Sequence, residues 1–133
     1  MAGKIIADQI EHSTAGSLDT SYVVNGSAKA WVNFNGTGTI AVRDSLSVSG
    51  LVDNGTGNYD INFSSSMADA NYSRSTHMQR ENTSANFANI DGSYNTDTYS
   101  TSTLEVRTIF MNSGASGVVD SPIISNQIFG DLA

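Results

Sequence analysis

Between residues 28 and 63 the apolar side chains fall on every second position, which only extended chain can use to build one buried face. Ala30, Val32 and Phe34 alternate with Trp31, Asn33 and Asn35. The sequence Asn35-Gly36-Thr37-Gly38 then supplies residues tolerant of positive φ, as a tight hairpin requires. Ile40, Val42, Leu46 and Val48 carry the even-numbered apolar face onward. A second break at Asp53-Asn54-Gly55-Thr56-Gly57 leads into Tyr59, Ile61 and Phe63. This predicts a β-meander with two turns. Composition agrees: 57 of the 133 residues are Ser, Thr, Asn or Gly, and these small polar residues compete with helical backbone bonds.

Further along, residues 72–79, 85–90 and 94–99 read as strands, with Asp91-Gly92 as a hairpin turn. Met67-Ala68-Asp69-Ala70 has the look of a helical turn. Leu104, Val106, Thr108 and Phe110 restore alternation over one strand, residues 112–117 form a loop, and residues 123–129 close the domain behind Pro122. Short strands at such spacing predict an all-β antiparallel β-sandwich over residues 28–133, jelly-roll-like, preceded by an extended N-terminal arm over residues 1–27. That arm holds the apolar cluster Ile5, Ile6 and Ile10 but is too short to fold alone. It must dock on the domain, on a neighbouring subunit or on a different protein.

Charge and motif content exclude much. A net charge of −7 leaves no electrostatic footprint for nucleic acid, and it disfavours anionic membranes as well. No apolar run approaches the roughly 20 residues of a membrane span, and Asp8 interrupts what would be the apolar part of an export signal. No membrane insertion is expected. The absence of cysteine excludes thiolate metal sites and disulfides. His12 and His77 stand apart from any ligand pattern, and Asp53-Asn54-Gly55 reads as a turn, so neither a metal nor a cofactor is expected. Gly36-x-Gly38 and Gly55-x-Gly57 lack the third glycine and following helix of a phosphate loop. No nucleophile elbow occurs, and a hydrolase would need a carboxylate pair that only folding could bring together. The chain is expected not to be an enzyme. Trp31, Phe34, Phe63 and Phe110 are expected in the core or at a subunit interface. Tyr94 and Tyr99, set in a Ser/Thr/Asn/Asp-rich stretch, are the candidates for contacting a glycan.

The run Lys29-Ala30-Trp31-Val32-Asn33-Phe34-Asn35-Gly36-Thr37-Gly38-Thr39-Ile40 carries a resemblance. So do Arg43-Asp44-Ser45, Val52-Asp53-Asn54-Gly55-Thr56-Gly57-Asn58-Tyr59, Asn62-Phe63, Met67-x-Asp69-Ala70-Asn71-Tyr72 and Ile128-Phe129-Gly130-Asp131. Together they resemble a C-terminal module of tail-fibre and related virion proteins of tailed phages, many from marine and cyanobacterial hosts. The likeness spans residues 28–133, specific through residue 72 and looser over residues 73–103. It implies a virion structural protein on the particle surface, assembled as a homo-oligomer, most often a trimer. A thin core of 29 Val, Ile, Leu and Phe residues is compatible with burial between protomers.

Under that resemblance the chain is expected to be a short tail-fibre-like or receptor-binding component. Its residues 1–27 would hold another virion protein through Ile5, Ile6 and Ile10, and its variable middle would face a host surface glycan. A capsid decoration protein of the same fold is the alternative, and a polysaccharide-degrading enzyme ranks behind both.

Overall fold

The structure is a computed structural model that describes residue 3 and residues 5–79, 88–89, 99–112 and 115–133. The elements in chain order are β1 (Gln9–His12), β2 (Gly16–Asp19), α1 (Thr20–Gly26), β3 (Ala30–Asn35), β4 (Ala41–Leu46), β5 (Val48–Asp53) and β6 (Asn58–Phe63). There follow β7 (Ser73–Gln79), β8 (Ala88–Asn89), β9 (Thr103–Arg107), β10 (Ile109–Asn112), β11 (Ala115–Val118) and β12 (Ile123–Phe129). Among the described residues the protein is all-β apart from α1, and every strand pairing is antiparallel.

Two sheets enclose the core. One has the order β4-β3-β12-β7 and the other β5-β6-β9, while β11-β10-β8 forms a small third sheet. Ala30, Val32 and Phe34 of β3, Ile124 and Ile128 of β12 and Met78 of β7 face Tyr59, Ile61 and Phe63 of β6 and Leu104 and Val106 of β9. The Phe34 and Tyr59 rings meet edge to face across the sheets, centroids 5.3 Å apart at 75°. The strict alternation of β3, β6 and β9 thus becomes a buried face and a half-exposed face, and β12 buries Ile124, Asn126 and Ile128 in the same way. Phe34 and Phe63 lie in the core, Trp31 is half-buried on the opposite face of β3, and Phe110 is half-buried in the third sheet.

The meander is corrected. β3 and β4 form one hairpin and β5 and β6 another, but the two belong to different sheets. The chain crosses at Ser47, whose φ of 55° places a non-glycine residue in the left-handed region. Hairpins that each stay within one sheet also differ from the jelly-roll-like connectivity expected. Each hairpin carries a bulge, at Arg43 and at Ser49, and an extra residue reverses which positions face inward. Val42 stands opposite inward Phe34, yet Leu46 stands opposite outward Trp31, so the even-numbered face does not run through. On β5 the inward residue is Leu51, opposite Ile61, and Val52 faces out.

Other expectations shift for related reasons. The strand foreseen over residues 104–110 breaks at buried Thr108, whose hydroxyl donates to the Val119 carbonyl, so β9 and β10 join different sheets. The loop over residues 112–117 gives way in part to β11. Met67 bridges Leu132 instead of opening a helical turn. Of the strands at 85–90 and 94–99, β8 and a bridge between Tyr99 and Leu104 are seen. The rest, with Asp91-Gly92, lies outside the described residues. The extended arm is also corrected: β1 and β2 form a hairpin that runs into α1. Asp19 caps the helix, its carboxylate accepting from the Ser21 amide at 3.1 Å, and Lys29 donates to the Val24 and Ser27 carbonyls at the other end.

Candidate interaction surfaces

The first surface is the N-terminal unit itself. A two-stranded hairpin and a seven-residue helix are each marginal in water, and here they are tied mainly by Thr20, whose amide and hydroxyl both donate to the Asp8 carbonyl. None of the α1 residues is buried. The three isoleucines are open to solvent: Ile5 is 94% exposed, Ile6 82% and Ile10 53%. Ile10 stands opposite Leu18 in the hairpin, and Tyr22, Val23 and Val24 add to the same exposed apolar set. Ile5, Ile6, Ile10, Val23 and Val24 line one groove of about 400 Å³, wide enough for one or two apolar side chains of another chain. Val23 and Val24 were not foreseen as anchors. Their signal was the capping Asp19 ahead of Tyr22-Val23-Val24, which starts a helix whose two valines line the same groove as the isoleucines.

The second surface surrounds Tyr99; Tyr94 lies outside the described residues. The Tyr99 ring sits 5.5 Å from that of Tyr72, and the Arg74 guanidinium lies over it at 4.8 Å. Arg74 also donates to the Glu105 carbonyl at 3.0 Å, so β7 and β9 are joined where their sheets meet. Tyr72 is buried, its hydroxyl donates to the Ser100 carbonyl, and burial pushes its pKa up to about 12, Tyr99 adding to the rise and Arg74 opposing it. One flank of Tyr99 is therefore occupied by a cation, which limits it as a stacking platform for a sugar.

The third surface lies on the outer side of the four-stranded sheet. Trp31 stands there between Leu46 and Gln127, beside a row in which the Asn33 amide donates to the Ser125 hydroxyl at 2.7 Å and Arg43 donates to Asn33. Leu46 is nearly half exposed beside Trp31 on this face, while Val42, opposite inward Phe34 on the β4 edge, and Val52, on the β5 edge of the other sheet, are nearly half exposed as well. The bulges at Arg43 and Ser49 interrupt those edges and hinder pairing with a stray strand.

Among the described residues no cluster of three or more His, Asp or Glu side chains is arranged to hold a metal ion, and no helix is long and apolar enough to cross a membrane. Comparison of the chain with protein-family models, with curated proteins and with solved structures returned no match.

Proposed function

We propose that this chain is a virion structural component of a tailed phage, a short trimeric tail-fibre-like or receptor-binding protein fixed to the particle by residues 1–26. The carrying observation is the N-terminal unit: its described residues contribute nothing to the core, yet display Ile5, Ile6, Ile10, Leu18, Tyr22, Val23 and Val24 to solvent. So many exposed apolar side chains around one groove suit a docking surface. The likeness of residues 28–72 to the phage module supplies the setting, and the apolar residues along the β4 and β5 edges suit contact between protomers.

The test is a chain lacking residues 1–26. It is expected to fold with unchanged circular dichroism and to be missing from purified particles; normal incorporation would overturn the reading. Sedimentation of the full chain is expected to give three times the monomer mass. Labelled protein found on capsid faces, with host adsorption unaffected by its loss, would move the assignment to capsid decoration.

A further inference from the structure

Some polar side chains on the outer faces bond one another: Asn33 with Ser125, Arg43 with Asn33, and the Thr103 hydroxyl with Asn62 at 3.0 Å. The end of β12 adds a concave surface. There the 67–72 loop enters β7 and a groove of about 400 Å³ opens, with Asn25 from the end of α1 on its wall. Asp131, Asn71 and Asn25 are exposed into it, and among the described residues their side chains make no hydrogen bond within the chain. Asp69 uses one oxygen to accept from the Asn71 amide at 2.7 Å and keeps the other. The apolar wall is half-buried Phe129, which stands opposite Ser73 on the outer face, with Tyr72 packed against Gly130.

We propose that this groove binds a saccharide unit, neutral or amino rather than acidic. A carboxylate presents two acceptors to neighbouring hydroxyls, an amide offers both donor and acceptor, and an aromatic ring suits the C–H face of a pyranose. The volume lies within the range of small-molecule sites. The lining contains two carboxylates and no Lys, Arg or His, on a chain of net charge −7, so a uronic or sialic acid is repelled. Phe129 lies two residues beyond Gln127, the cross-strand partner of Trp31, so Trp31 is its diagonal neighbour on the same face at roughly 7–8 Å. A second sugar unit thus reaches Trp31, the chain's sole tryptophan.

This inference gives a ligand class to the receptor-binding role proposed above. It is read on purified protein, so its failure leaves the attachment role of residues 1–26 to be judged on particles. Isotope-labelled full-length chain is titrated with glucose, glucosamine, glucuronate, a glucose disaccharide and, as controls, ethanolamine and calcium. Glucose and glucosamine are expected to shift the amides of Asn71 and residues 129–131 with dissociation constants of about 1 mM. The disaccharide is expected to bind more tightly and alone to change Trp31 emission, and glucuronate to bind at least about tenfold more weakly. The exposed substitution Asp131→Asn is expected to weaken glucose about tenfold and to narrow the gap to glucuronate. Absence of binding by all the sugars, equal binding of glucuronate, indifference to Asp131→Asn, or a response to ethanolamine or calcium without one to glucose would each overturn the proposal.

Discussion

Tyr59 is the residue on which three loops converge. Its hydroxyl lies 2.8 Å from both the Gly36 carbonyl and the Asp120 carboxylate, and the same Asp120 oxygen accepts from the Gly57 amide. Gly36 is not a glycine for its φ: a Cβ there would stand 2.6 Å from the Tyr59 hydroxyl and 2.7 Å from Ile124 Cδ1. Tyr59→Phe removes the one O–H donor shared by the Gly36 carbonyl and the Asp120 carboxylate and is expected to cost about 1–3 kcal/mol in urea unfolding. Gly36→Ala is expected to cost a similar amount through overpacking, about 1–3 kcal/mol, with the hydroxyl still present. Burial, with the Asp120 hydrogen bond and charge, holds the Tyr59 hydroxyl protonated well beyond the usual range, and burial raises Tyr72 as well. Both groups ionise more readily in the unfolded chain. Their stabilisation is therefore intact below a pH of about 10 and is lost as pH rises through the folded values. In an alkaline titration two of the five tyrosines are expected to withhold tyrosinate absorbance until the circular dichroism collapses. Ionisation of Tyr59 and Tyr72 near pH 10 with the fold intact would contradict this.

At the scale of elements, the two strands flanking β3 differ in what they support. β12 lies between β3 and β7 and buries Ile124 and Ile128 completely, whereas β4 is an edge strand with no buried residue. Ile124→Ala is expected to cost about 2–5 kcal/mol, and Val42→Ala at most about 0.5 kcal/mol, as read by denaturant midpoints at constant slope. The corner between β4 and β5 depends on Ser47 in the left-handed region. Ser47→Val places a β-branched side chain there and is expected to cost about 1–2 kcal/mol, while Ser47→Asn stays near neutral.

For the molecule as a whole, the N-terminal unit and the β-domain are separable in energy: among the described residues no core residue precedes Ala30. Removing residues 1–26 is expected to change domain stability by no more than about 0.5 kcal/mol while raising solubility, since Ile5 and Ile6 leave with it. A large drop in melting temperature would show that the segment packs on the domain after all. The sequence by itself determined that β3, β6 and β12 are strands and, for β3 and β6, which face is buried, because side chains alternate with a period of two that needs no partner; in β12 both faces carry two large apolar residues. Only the tertiary structure decided that the chain changes sheets at Ser47 and Thr108, that two bulges invert the facing of β4 and β5, and that Trp31 stays out of the core. It alone brought Asn25, Asp69, Phe129 and Asp131 around one groove. Pairing partners and loop encounters join residues far apart in the chain, and local alternation carries no record of which distant segment supplies the matching hydrogen bonds.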